Sequence, residues 1–178
     1  MKHSMTWTAA LLTVSALTFH ASPAAAQLSL EGRIGSVIPV GELSDEGGQT
    51  AGLGFAAEAM FSFSDRATAY AGVSRHDFNG EDGAADISST GFNGGVKFLL
   101  GEGNAIPWVR GGLMIHKPDF GPGEGDWEAG LDTGVGVDWM VRPNIGIVPA
   151  LRFNTYSSAD VSLQFISLDL GLHLHLGR

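Results

Sequence analysis

Two histidines, His173 and His175, stand two residues apart near the end of a 178-residue chain, with Asp169 in line before them. On an extended strand this spacing puts all three on one face. Imidazoles beside a carboxylate suit a metal ion, but the spacing places no third or fourth ligand. The residues alone therefore point to lumen hydrogen bonding, with no metal and no cofactor expected. Other charges recur at alternate positions along the chain: Glu31, Arg33, Glu58, Lys97, Arg110, Glu128, Asp132, Asp138 and Arg152. Acids and bases are close to balance in this set. Facing bulk water, they would need no special mixture. In a cramped interior they must pair, because an unpaired buried charge costs roughly several kcal/mol.

The intervening stretches are acidic. Glu42, Asp45, Glu46, Glu81, Asp82, Asp86, Asp119, Glu124, Asp126 and Asp160 stand there with Lys117. Clustered carboxylates such as Glu81-Asp82 suit hard cations, but no stretch has the spacing of a calcium loop, so they read as solvated loops. Gly121-Pro122-Gly123-Glu124-Gly125 reads as a loop tip, not a phosphate cradle.

The elements that position these residues alternate with a period of two. Ile166, Leu168, Leu170, Leu172, Leu174 and Leu176 occupy every second position, with Ser167, Asp169, Gly171, His173 and His175 between them. A strand gathers those leucines on one face, whereas a helix scatters them. Seven earlier segments repeat the pattern and start near Leu28, Leu53, Ala67, Phe92, Val109, Trp127 and Ile145. The third, Ala67 to Asp77, is ambiguous, because Tyr70 and Val73 fall on opposite sides. Many of the 26 glycines lie inside these runs, which disfavours helix and suits strands that approach closely. Short turns are expected at Ser64 to Arg66, Gly101 to Asn104 and Arg142 to Asn144. Longer loops are expected at about 39–50, 78–86, 117–126 and 157–161.

The amino terminus has a different plan. Lys2 and His3 precede an apolar run from Ala9 to Phe19, then Pro23 and Ala24-Ala25-Ala26. This is the layout of a secretory signal peptide with cleavage expected after Ala26. The run is shorter than the about 20 residues a membrane helix needs. Residues 27–178 then form one domain. Ten Lys and Arg against 19 Asp and Glu give a net charge of −9, which does not suit nucleic-acid binding. Cysteine is absent, so an exported chain must hold itself together by burial and hydrogen bonds.

An even number of alternating segments, alternating loop lengths and an exported chain predict one fold class. It is all-β: a closed eight-stranded antiparallel up-and-down transmembrane β-barrel. The apolar faces meet lipid, and the charged faces pair in a plugged lumen. Phe61, Phe63, Phe98 and Trp139 before short turns, and Trp127 and Phe153 near long loops, suit interfacial girdles.

Ile34-Gly35-Ser36-Val37-Ile38-Pro39-Val40-Gly41 resembles the end of the first strand in the small outer-membrane β-barrel domain family, porin-like and akin to the outer-membrane protein A barrel. Pro107-Trp108-Val109-Arg110-Gly111-Gly112-Leu113 resembles the fifth strand of that family, and Leu168 to Leu176 its last. The resemblance spans residues 27–178 and rests mostly on composition. It implies a Gram-negative outer-membrane barrel with structural, adhesive, small-solute or stress-related roles. Its implied partners are outer-membrane lipid, lipopolysaccharide and the barrel assembly machinery. There are departures: the chain ends Leu176-Gly177-Arg178 where relatives commonly end in an aromatic, Pro149 interrupts the seventh segment, and no peptidoglycan-binding domain follows.

Arg152-Phe153-Asn154-Thr155-Tyr156-Ser157 faintly resembles the catalytic stretch of outer-membrane lipid A deacylases. Thr155 stands near where that family has histidine, and no base accompanies a nucleophile, so no enzyme is expected. The function expected is a structural or surface-interaction barrel. The alternatives are a narrow channel for ions or small solutes, and a soluble periplasmic lipocalin-like barrel.

Overall fold

The computed structural model describes residues 27–45, 48–81, 83–120, 125–158 and 161–176. The expected signal peptide, and the loop acids Glu46, Asp82, Glu124 and Asp160, lie outside them. Eight strands run in order: β1 (Gln27–Val40), β2 (Gln49–Ser62), β3 (Ala67–Gly80), β4 (Ile87–Leu99), β5 (Ala105–Asp119), β6 (Glu128–Arg142), β7 (Ile145–Ser158) and β8 (Val161–His175). Each pairs antiparallel with its sequence neighbours, and β8 closes on β1. Closure leaves no sheet edge, so every strand has a partner on both sides.

The register fixes the barrel's shape. Leu30 leads through Ala59, Ala71, Gly94, Leu113, Leu131, Thr155 and Gln164 back to β1 at Val40, ten residues further on. Such a stagger over eight strands corresponds to a tilt of roughly 40° and an interior that side chains can fill.

The side-chain alternation divides as the sequence predicts. Leu28, Leu30, Ile34, Leu53, Phe55, Phe92, Leu113, Leu131, Leu168, Leu170 and Leu172 all lie exposed on the outer surface. The ambiguous third strand resolves cleanly: Tyr70 is buried inside at 4% exposure and Val73 is outside at 48%. Phe61, Phe63, Phe98 and Trp139 are exposed toward the short turns, and Trp127 stacks on Phe92 at 5.9 Å toward the loops. Among the described residues no helix is long and apolar enough to cross a membrane.

Two expectations about connections change. The longer loop expected at 157–161 is a tight link, because Ser157 pairs with Ser162 and Ser158 with Val161. The first loop holds a one-turn helix, α1 (Glu42–Asp45), entered through Gly41 at φ 62. That left-handed backbone is ordinary only for glycine. The turn drops Leu43 into the barrel mouth, where it is buried.

Pro149 does not break β7. It pairs with Leu170 on the β8 side, between Val148–Gly171 and Ala150–Asp169. On the β6 side the ladder stops at Gly136–Ala150 and resumes at Trp139–Ile147. The missing amide hydrogen therefore costs rungs on one side without moving the register.

Candidate functional site in the barrel interior

Glu58 on β2 lies at the centre of the interior charges. It is 2% exposed. Arg33 of β1 donates from Nη2 to Glu58 Oε1 at 2.7 Å, with its Nη1 at 2.6 Å from Oε2. Arg110 of β5 donates from Nη1 to Oε2 at 2.9 Å and from Nη2 to Oε1 at 2.8 Å. Asn93 of β4 also donates to Oε1. Two guanidinium forks on one carboxylate is the bidentate geometry that makes such bonds strong.

The network continues through Asp132 of β6, which is fully buried. Arg110 Nη2 donates to its Oδ2 at 2.6 Å, and Arg152 Nη2 of β7 donates to Oδ1 at 2.7 Å and Oδ2 at 2.8 Å. The Tyr70 hydroxyl donates to Oδ2 at 3.1 Å, and its ring lies 3.6 Å beneath the Arg110 guanidinium. Asp169 of β8 sits between Arg152, at 3.7 Å, and Arg33, at 3.8 Å. Six strands thus meet in one array of ion pairs across the barrel axis.

Nearer the short turns lies a second group. Lys97 of β4 donates to Asp138 Oδ1 of β6 at 2.7 Å and lies 3.9 Å from Glu31 Oε2. Its ammonium is 4.7 Å from the centre of the Trp108 ring, a cation–π distance. Arg33 Nη1 links the groups through Glu31 Oε1 at 3.5 Å. His173 and His175 also lie at this end, with ring centres 4.5 Å apart.

Of the residues singled out in sequence, Glu31, Arg33, Glu58, Lys97, Arg110, Asp132, Asp138, Arg152, Asp169 and His173 come together in this interior. His175 sits beside them, half-buried. Glu128 stands apart. It is half-buried opposite His116, toward the loops, and makes none of these ion pairs. Asp169 shares a strand face with His173 but meets the arginines.

Sequence reasoning missed what fills the loop end. There the interior is apolar: Val37, Leu43, Phe78, Met114, Tyr156, Leu163 and Phe165 form one buried cluster. Beneath it His116 bridges Ser74 at Nε2 and Ser89 at Nδ1, both at 3.0 Å, and Tyr156 donates to Ser89 at 2.8 Å. His76 stacks on His116 at 5.3 Å and meets Phe165 at 4.6 Å. Tyr70, Ser74, His76 and Phe78 share one buried face of β3, so placing Tyr70 inward and carrying the alternation on to Phe78 would have found them. Phe165 and Leu163 were hidden because they put apolar residues on β8's otherwise polar side.

The interior glycines explain how large side chains fit. A Cβ on Gly112 or Gly95 would strike the Tyr70 hydroxyl, and one on Gly136 would strike the Trp108 ring. Glycine there keeps space for an aromatic across the lumen.

An apolar exterior, a filled polar centre and up-and-down closure define an eight-stranded barrel of the outer-membrane type. Solved structures share the fold. Neisserial surface protein A superposes with a TM-score of 0.68 at 13% identity, covering 83% of this chain and 96% of that one. The outer membrane protein OprG from Pseudomonas aeruginosa gives 0.55 at 11% identity, covering 84% and 93%. The N-terminal β-barrel domain of OprF from the same organism gives 0.52 at 12%, covering 84% and 99%. At these identities the likeness is one of fold. No family model and no curated protein matches the sequence.

Proposed function

We propose that the chain is an integral protein of the bacterial outer membrane with a structural or surface-interaction role, exported by its signal peptide, and with a lumen closed to solutes. One observation carries this reading: the large apolar side chains point outward while Glu58, Asp132 and their arginines occupy the axis. Water outside would leave that apolar belt as one continuous exposed patch, far beyond what soluble monomers tolerate. Hydrocarbon outside removes the problem, and closed strands satisfy the backbone there. Lipid and lipopolysaccharide are then its immediate surroundings, and the barrel assembly machinery its route in. A surface role accords with the name of the similar Neisserial protein.

The lipocalin-like alternative asks for an apolar cavity within the barrel. Lys97, Met60, Met114, His116, Asp132 and Phe165 instead fill the interior with almost no exposed surface. The same filling counts against the narrow channel.

The experiment is fractionation with surface proteolysis. The protein should sediment with membranes through carbonate washing, shift its gel mobility on heating, and be cut only in the loops between β1 and β2, β3 and β4, or β5 and β6. Recovery as a free periplasmic protein overturns the reading. In planar bilayers the purified barrel should show no conductance steps, and regular steps would favour the channel.

A further inference from the structure

Near the short-turn end of the lumen, Glu31 of β1, Asp138 of β6 and His173 of β8 each offer a donor atom. These atoms all lie within 4.8 Å of one another, and all three residues are buried. His173 is 5% exposed, yet neither ring nitrogen makes a hydrogen bond. Glu31 Oε2 makes none either, although His173 Nδ1 is 3.5 Å away. Buried polar atoms are normally satisfied, so an imidazole and a carboxylate oxygen left unpartnered side by side mark a place where something else binds. His175 adds a fourth donor group, its ring 4.5 Å from His173 and its Nδ1 also without a partner.

The ligands come together through the barrel's register. Glu31 and His173 are direct partners across the β1–β8 ladder. Asp138 must reach past β7, and Gly146 lies in the way, paired with Met140 on one side and His173 on the other. A Cβ on Gly146 would come within 3.0 Å of Met140 Sδ and 3.6 Å of His173 Cβ. Glycine there leaves the space between the strands open.

The chemistry selects the ion. Two carboxylates with one or two imidazoles suit Zn2+ and its neighbours, whereas calcium and magnesium want oxygen alone. A cation already stands at the edge of the site: the Lys97 ammonium, 2.7 Å from Asp138 Oδ1 and 3.9 Å from Glu31 Oε2. Its long flexible stem lets it give way. We propose that the barrel binds one divalent transition-metal ion of the zinc class through Glu31, Asp138 and His173, with His175 within reach, in competition with Lys97. Half-buried His175 leaves an approach from the short-turn end.

The test titrates the tag-free barrel, refolded in vesicles or micelles, with Zn2+ against a chromophoric chelator, and with Co2+ by visible absorption. The wild type should take up one ion per barrel. His173→Gln should weaken binding about tenfold or more, and Lys97→Met should strengthen it. His116→Gln, at the other end of the lumen, should leave it unchanged. Gel mobility identifies any variant that fails to fold, and the remaining one decides. Wild-type barrel without stoichiometric uptake, or uptake that neither His173→Gln nor Lys97→Met alters, overturns the proposal.

Discussion

At the level of single residues, the interior charges depend most on Glu58. It accepts from Arg33, Arg110 and Asn93 while almost wholly buried. Removing its charge leaves two guanidinium groups facing a neutral neighbour. Glu58→Gln should therefore destabilise the barrel by about 3–5 kcal/mol, read from urea unfolding in lipid vesicles. Glu102→Gln is the contrast. Its pair with Arg66 spans 3.9 Å and both side chains are largely exposed, so the change should stay within about 0.5 kcal/mol. Equal effects from the two substitutions would mean that the interior pairs are as solvated as the surface one. The charged residues of this array were readable in the sequence, because alternation put each on the face opposite the leucines. Their pairings were not. Arg33 meets Glu58 and Arg152 meets Asp132 within the β1–β2 and β6–β7 hairpins, but Arg110 meets Glu58, and Lys97 meets Asp138, across strands that are not neighbours. The ambiguity of the third segment left Tyr70 without a side, and nothing in the sequence marked Asn93 as a donor to Glu58.

Within the strands, glycine decides what the lumen can hold. Gly136 faces the Trp108 ring, whereas Gly111 points outward with nothing near it. Gly136→Leu should block formation of the compact, heat-modifiable species, and Gly111→Ala should fold normally, both read by mobility on unheated gels. Normal folding of Gly136→Leu would show that Trp108 does not occupy the interior. The eight strands, and the outward faces of all but the third, were legible because a period of two runs through the segments; in the third, Tyr70 and Val73 left the side open until the structure placed Tyr70 inside. Loop lengths were less so. The Ser157, Ser158 and Ser162 stretch reads as a polar loop, yet its residues simply continue the β7–β8 ladder. Leu43 looked like part of an acidic loop, and only the turn at Gly41 carries it into the barrel mouth. Pro149 suggested an irregular strand. The structure shows that a proline beside one neighbour can lose rungs there while its other ladder stays whole.

For the whole molecule, the decisive question is which face meets lipid. An interior that is charged at its centre and apolar beneath the loops blocks the lumen twice over. The exterior is uncharged over most of its height and carries Arg75, Asp77 and Lys117 toward the loops. Three tryptophans in the described residues report on both faces: Trp108 is 3% exposed inside the barrel, while Trp127 and Trp139 lie half-exposed outside near opposite ends of β6. Variants of the chain from Gln27 onward, each keeping one of these with phenylalanine at the other two, can be refolded into vesicles containing brominated phosphatidylcholine. Fluorescence from Trp127 and Trp139 should be strongly quenched, more by bromines near the headgroups than by those near the bilayer centre, and Trp108 should stay bright. Quenching of Trp108 with protection of the other two, or equal quenching of all three, would contradict the assignment of sides on which the account rests.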